Sequence, residues 1–263
     1  MKFILYGLIQ GLTEFIPVSS TAHLKILSQF LGFNDPGSSL SAIIQIGSVF
    51  AIFWYFREEF ISFYRINSNT YFSSVLSNKL FRSISLGTIP IVFLGGIIKL
   101  YFPQYSDSFF RSNLSIALVS ILMAYLMFLA DRTKNNFIKI SNHSFLNSLL
   151  IGFAQSFAIF PGVSRSGATI STALFLGWDK KDAAKFSFLL GLPAISLAAI
   201  SEFFSSIDNY LLFPLMPLII GVLSSFVTSL VAIKFLIKHL SSKGLRYFVF
   251  YRVIFGIIII INL

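Results

Sequence analysis

The stretch Gln10-Gly-Leu-Thr-Glu14-Phe-Ile-Pro17-Val-Ser-Ser20-Thr-Ala-His23 interrupts an apolar run that extends from residue 3 to residue 31. A bilayer crossing takes about 20 apolar residues, so the run is too long for one crossing and, broken at Pro17, too short for two. It reads as a re-entrant helix-loop-helix hairpin. Residues 146–178 have the same build around Pro161-Gly162-Val163-Ser164-Arg165-Ser166-Gly167. Irregular backbone at membrane depth is tolerated only where protein buries it or where it lines a watery cavity. The two breaks therefore mark a site.

Outward from the breaks, six uninterrupted apolar stretches near 39–56, 83–102, 113–130, 186–204, 211–233 and 247–263 are each suited to a transmembrane helix. Composition agrees: 56% of the 263 residues are hydrophobic, 11% are charged, and mean hydropathy is +0.82. A soluble domain carries about 25% charged residues, so a soluble enzyme is excluded, as is a disordered chain. The fold class expected is an all-α polytopic membrane protein, with about six transmembrane helices and two re-entrant helical hairpins in an inverted repeat. It forms a single integral membrane domain over 1–263, with half-repeats near 1–130 and 146–263. No cysteine is present, which removes disulfides, thiolate metal sites and a cysteine nucleophile.

The net charge of +10 is read as membrane topology, and no nucleic-acid partner is expected. Loops 57–82, 131–145, 179–185 and 234–246 hold 14 of the 20 Lys and Arg residues, Lys134 among them, whereas 32–38 and 205–210 hold none and 103–112 holds only Arg111. With neither hairpin crossing, the positive-inside rule places the basic loops in the cytoplasm and both termini outside. The first hairpin then enters from the outside and the second from the inside. Gly7, Gln10, Phe15, Val18 and Ser19 recur 145 residues later as Gly152, Gln155, Phe160, Val163 and Ser164, the pattern of inverted-repeat membrane proteins. The first apolar stretch carries Glu14 and His23 and lacks a small-residue cleavage site, so it is expected to be retained.

Of the ten acidic residues, Asp35, Glu58, Glu59, Asp107, Asp131, Asp179, Asp182, Glu202 and Asp208 fall in loops or at span ends. Glu14 alone lies within a membrane segment, where an ionisable group is by default a functional candidate. Gln10 precedes it by four residues and shares its helix face. The two oxygens suit a hard cation, although a membrane glutamine also serves as an interhelical hydrogen-bonding group. Ser19, Ser20, Thr21 and His23 follow the first break. Each hydroxyl is a natural N-cap, and together they place a nucleophile, a titratable imidazole and open helix amides within one turn. In the second break Arg165 is flanked by Ser164, Ser166 and Thr169, with Gly162 and Gly167 allowing close approach to a ligand. Its guanidinium matches phosphate bidentately or pairs with Glu14 to hold the hairpins together. Arg252, within the last span, either snorkels to an edge or joins helices.

These two motifs resemble the signatures of the bacterial undecaprenyl-diphosphate phosphatase family (UppP, also called BacA): Gln10 to His23 the first, Pro161-Gly-Val-Ser164-Arg165-Ser-Gly-Ala-Thr169 the second. The resemblance covers nearly the whole chain. It implies an inner-membrane hydrolase that converts undecaprenyl diphosphate to undecaprenyl phosphate, recycling the lipid carrier of peptidoglycan synthesis, with bacitracin resistance associated with some members. It also implies a divalent cation, Mg²⁺ or Ca²⁺, a polyprenyl diphosphate substrate among membrane lipids, and a site reached from outside; a homodimer stays open. By position, Glu14 matches the acidic metal-binding or catalytic residue, with Gln10 beside it, and Ser20 the proposed nucleophile. His23 matches the general acid/base and Arg165 the diphosphate clamp. Ser164, Ser166 and Thr169 match supporting phosphate contacts, and Ser19, Thr21 and Gly162 complete the substrate-binding set. Many members carry Glu where this chain has Gln10, and one fewer negative charge weakens cation binding or changes its selectivity. Inverted repeats with broken helices also serve transporters. The hydroxyl-imidazole cluster opposite an arginine favours hydrolysis, and attack by Ser20 or by water activated by His23 stays open.

Overall fold

A computed structural model describes residues 2–32, 37–65, 78–102, 109–133, 137–205 and 214–263. Asp35, Asp107, Lys134 and Asp208 lie outside the described residues. Among the described residues the chain is helical: α1 (Lys2–Phe15), α2 (Ser20–Phe30), α3 (Gly37–Tyr55), α4 (Arg57–Arg65), α5 (Lys79–Tyr101), α6 (Asn113–Asp131), α7 (Phe145–Ser156), α8 (Arg165–Phe175), α9 (Lys180–Ser205), α10 (Leu215–Lys243) and α11 (Arg246–Ile261). Short 3₁₀ turns at Phe109–Arg111 and Phe157–Ile159 lead into α6 and out of α7.

Helix starts follow the local chemistry. Asn78 caps α5 through Leu80 N and Phe81 N, Ser112 caps α6 through Ser115 N, and Ser144 caps α7 through Asn147 N, each side-chain oxygen taking amides that have no carbonyl partner in the first turn. By length and composition α5, α6, α9 and α10 are able to cross a membrane. Of the remaining two expected spans, α3 has 19 residues, as many as α6, and α11 has 16, the latter about 24 Å at 1.5 Å per residue. Exposed Phe50, Trp54, Phe93, Leu100, Leu122, Leu223 and Ile254 are what a lipid-facing surface requires.

Two boundaries differ from the sequence expectation. The 57–82 and 234–246 segments are not simple loops: Arg57 to Arg65 form α4, and α10 continues through Lys234 and Lys238 to Lys243. Lysine and arginine are good helix formers, so a helix leaving the apolar layer has no reason to stop there. Gly244, at φ 68°, ends it. The basic segments meet through Lys185–Glu59, Lys139–Asp179 at 3.2 Å, Lys180–Asp131 at 2.6 Å, and Lys79 Nζ donating to Ser141 O at 3.3 Å.

Both broken stretches are helix-loop-helix units. With 14 and 11 residues, α1 and α2 are about 21 and 17 Å long, short of a ~30 Å hydrocarbon layer. They fold back on each other, since Tyr6 Oη and Ser28 Oγ lie 2.9 Å apart. The second unit repeats the first in detail. Ser20–Phe30 and Arg165–Phe175 are displaced by 145 residues and both contain 11. The residues before them, Ser19 at φ 74° and Ser164 at φ 67°, are the non-glycine residues of positive φ in the described chain. α1 packs chiefly against α10 and α7 chiefly against α5. At each crossing two glycines let backbones touch, Gly7 at Gly221 and Gly152 at Gly87, where a Cβ would meet a carbonyl oxygen. Phe15, at the end of α1, packs edge-on against Phe188 of α9 at 5.3 Å within the main core, which also holds Met127, Leu174 and Trp178.

Candidate active site

The tips of the two hairpins touch. Ser19 does not cap its own helix; its Oγ accepts instead from Gly162 N at 3.3 Å. Ser164 does cap α8, accepting from Gly167 N at 3.2 Å. Left-handed backbone at a non-glycine residue costs of order 1–3 kcal/mol, and the contacts around the tips offset it. Arg252, fully buried, donates from Nη1 to Pro17 O at 3.2 Å, from Nη2 to Gly162 O, and from Nε to Ser120 O at 3.2 Å. One guanidinium thus holds both breaks and α6. Neither a snorkel nor a simple helix–helix contact describes it.

Behind the tips lie the two charges that the sequence singled out. Glu14 and Arg165 are 7% and 9% exposed, and Arg165 Nη2 stands 3.6 Å from Glu14 Oε1. Glu14 Oε2 accepts from Gln10 Nε2 at 2.8 Å and from Ser20 Oγ at 2.7 Å. Arg165 Nη1 donates to Ser187 O at 3.1 Å and Nη2 to the Glu14 carbonyl at 3.5 Å, while its buried Nε has no hydrogen-bond partner. Gly191 makes room for this guanidinium, which occupies the space a side chain would take there.

A cavity of about 200 Å³ opens in front of the pair. Glu14, Ser19, Ser20, Thr21, Ser164 and Arg165 form its polar wall together with Gln45 of α3. The facing wall is apolar, with Ile91 of α5, Ile159, and Ala194, Ile195 and Ala198 of α9. Six of the sequence candidates therefore share one cavity, and Gln10 touches it through Glu14.

Four candidates stand elsewhere. His23 turns from α2 toward α11, with its ring stacked on Phe255 at 4.2 Å. Its Nδ1 lies 2.7 Å from Ser19 O and its Nε2 lies 2.6 Å from Tyr251 Oη. A carbonyl only accepts, so Nδ1 donates and Nε2 of the neutral ring accepts from the tyrosine. At 3.6 residues per turn His23 lies about 60° from both Ser20 and Ile26, between the side of α2 that carries Ser20, Leu24 and Ser28 toward α1 and the side where Ala22 and Ile26 pack with Ile259 and Phe255, and its ring turns to the latter. Ser166 and Thr169 are fully buried; Thr169 Oγ1 bonds Arg165 O at 2.9 Å and Ser187 Oγ at 2.6 Å, and Ser166 Oγ lies 3.3 Å from Ser164 Oγ. They support the arginine's helix from behind. Gly162, at φ 97°, shapes the tip and gives its backbone to Ser19 and Arg252.

Gln45 and Ser187 were not singled out by the sequence. The signal for Gln45 was a lone amide in an apolar span, Ile43-Ile44-Gln45-Ile46; Ser187 offered none. Among the described residues no three His, Asp or Glu side chains gather as a metal cluster. The oxygen donors at hand are Glu14, the Ser20 hydroxyl and the Gln10 amide, a hard-oxygen set with a single carboxylate. That set fits a cation of the kind held through one carboxylate and substrate phosphates.

Fold and site together define a polytopic helical membrane protein in which the buried carboxylate of Glu14, the buried guanidinium of Arg165 and a hydroxyl cluster meet at the tips of two broken hairpins. The chain belongs to the family described as "Bacitracin resistance protein BacA", whose model matches residues 3–258. It is 63% identical to the undecaprenyl-diphosphatase of Prochlorococcus marinus strain MIT 9515, covering 100% of this chain and 99% of that one. Another Prochlorococcus marinus undecaprenyl-diphosphatase, from subspecies pastoris, is also 63% identical, and that of Trichodesmium erythraeum is 43% identical over 99% of this chain and 85% of its own.

Proposed function

We infer that this chain is an undecaprenyl-diphosphate phosphatase, a membrane hydrolase that splits undecaprenyl diphosphate with water into undecaprenyl phosphate and phosphate and so returns the carrier lipid to cell-wall synthesis. Family membership and the names of its relatives support the activity. One local observation carries the mechanism: a buried arginine with an unpartnered Nε faces a hydroxyl already bonded to a buried carboxylate.

In this reading the diphosphate enters between the hairpin tips, and the prenyl tail leaves along the apolar wall of Ile91 and α9. Arg165 turns part of its donor set from Glu14 to the phosphate oxygens, supplying charge where negative charge gathers. Ser20 attacks the terminal phosphorus while Glu14, 2.7 Å from its oxygen, takes the proton. The anhydride P–O bond breaks, undecaprenyl phosphate departs with the proton that Glu14 had taken, and water activated by the freed carboxylate hydrolyses the phosphoserine, releasing phosphate and restoring the Ser20 hydroxyl. Placement of His23 outside the cavity favours this over imidazole-activated water. A divalent cation, Mg²⁺ or Ca²⁺, would be held by Glu14, Gln10 and Ser20 with substrate oxygens, and would supply charge neutralisation on the phosphates. The inner membrane, an inverted pair of half-repeats, extracytoplasmic termini and access from that side complete the proposal; the gathering of the basic segments supports this orientation.

The test is phosphate release from farnesyl or undecaprenyl diphosphate by purified protein in detergent, with and without chelator. Wild type is expected to be active and Glu14→Ala and Arg165→Ala at least about 10²-fold slower. Detergent removes the two sides a transporter needs, so a wild type that binds the lipid and releases no phosphate would make transport the better reading.

A further inference from the structure

A second polar cavity, of about 220 Å³, adjoins the first and shares Ser20, Thr21, Gln45 and Ala198 with it. The two are neighbouring compartments. The second adds three ionisable side chains that hydrolysis as described does not use: Lys25 of α2, Arg111 of the 3₁₀ turn before α6, and Glu202 of α9. Among the described residues these two cations and one carboxylate leave one positive charge. Lys25 Nζ donates to the Arg111 carbonyl, which anchors the lysine against the turn bearing the second cation. Lys25 lies five residues beyond Ser20, about 7.5 Å further along the axis of α2. The compartment lies toward the end of the bundle where Asn113 bonds Gln29 at 2.8 Å.

We propose that this outer compartment is a second phosphate site, which receives the inorganic phosphate freed beside Ser20 before it leaves the protein; the proposal rests on the hydrolase reading. Lysine and arginine supply charge-assisted donors for the phosphate oxygens. Glu202 gives the site its selectivity. Inorganic phosphate at neutral pH keeps a P–OH group that donates to a carboxylate. The phosphodiester of a membrane lipid has no such proton, so its phosphate oxygens meet only repulsion from Glu202. The chemistry therefore selects the free product over lipid headgroups.

Equilibrium binding of labelled orthophosphate to the purified full-length protein in neutral detergent tests this, with sulfate and dimethyl phosphate as competitors. Wild type is expected to bind orthophosphate and to prefer it to sulfate, which lacks the proton, by about tenfold or more. Lys25→Gln/Arg111→Gln weakens binding at least about tenfold, Lys25→Arg/Arg111→Lys restores most of it, and Glu202→Gln removes the preference over sulfate. Unchanged orthophosphate binding in Lys25→Gln/Arg111→Gln, or its loss in the charge-preserving variant as well, overturns the site. Preferential binding of dimethyl phosphate makes it a lipid headgroup site and overturns the assignment to free phosphate. Turnover of prenyl diphosphate on the same preparations is scored separately: an active wild type that binds no orthophosphate refutes only the second site, and an inactive wild type refutes the hydrolase reading.

Discussion

Ser20 and Glu14 face each other across the break between α1 and α2, with 2.7 Å between hydroxyl oxygen and carboxylate Oε2. The pair is local in sequence but comes together only because the chain turns back at Pro17, and that turn is held from outside by Arg252 and Gly162. If Ser20 is the nucleophile, Ser20→Ala should lower turnover by at least about 10³-fold, because the positioned oxygen and its base act as a unit. Rapid acid quenching with labelled substrate should trap phosphoserine in wild type. Near-normal turnover of the alanine variant would assign attack to water held by Glu14.

His23 makes a different prediction. Its two ring nitrogens are occupied by Ser19 O and Tyr251 Oη, and Ser19 is its link to the cavity wall. His23→Gln should lose less than the roughly 10²-fold that marks the low end of general acid–base catalysis, and its pH–rate profile should keep both limbs of the wild type. Disappearance of one limb would place the imidazole in proton transfer after all.

Arg252 is expected to matter for both stability and turnover. Arg252→Met would leave Pro17 O, Gly162 O and Ser120 O without their donor, at about 1–3 kcal/mol for each buried acceptor left bare. Thermal unfolding in detergent should show a clear drop in midpoint, with turnover reduced even at temperatures where the variant is folded. A variant with wild-type unfolding and wild-type turnover would remove the tip-clamp role.

Away from the membrane-spanning segments, His143 should make stability depend on pH. Its Nδ1 lies 2.6 Å from Ile140 O and its Nε2 2.7 Å from Ser83 Oγ, beside Trp178 and Phe186. Burial, chiefly, pushes its pKa below the ordinary 6.5, with Lys79 adding to the effect. The unfolded chain therefore binds the proton more readily, so the stabilisation is complete above about pH 6.5 and declines as pH falls from there toward the lowered folded value. Melting scans between pH 7.5 and 5 should show this decline in wild type and a smaller one in His143→Gln.

The two breaks were legible because proline, glycine and clustered hydroxyls are costly in an apolar helix, and because an acid or an arginine has no cheap place in lipid. The 145-residue echo was legible for a similar reason: Ser19 and Ser164 must both adopt a left-handed backbone, and Gly7 and Gly152 must both let another helix touch them. Side-chain direction was less accessible. His23 and Ser20 differ by three positions on one short helix, and which of them meets the cavity depends on the angle at which α2 leaves the break. Ser166 and Thr169 belong to the same motif as Arg165, yet the helix turns them into the interior. Gln45 is brought to the site by packing between distant segments, and nothing in its neighbours announces that. The length of α10 was missed because hydropathy marks where lipid ends and lysine-rich helix continues beyond it.

The repeated frame carries unequal cargo. Advancing 145 positions takes Glu14 to Ile159, Ser20 to Arg165 and His23 to Ala168, so the acid and the hydroxyl come from one copy and the cation from the other. Two identical first halves joined about a two-fold axis would set carboxylate against carboxylate, and two second halves would set guanidinium against guanidinium, each a like-charge contact in a dry interior. The attraction that closes this site exists only because the two broken stretches differ at these positions. That difference is thus a condition of the ion pair, and transplanting the motif of either stretch into the other should abolish the site while leaving its scaffold intact.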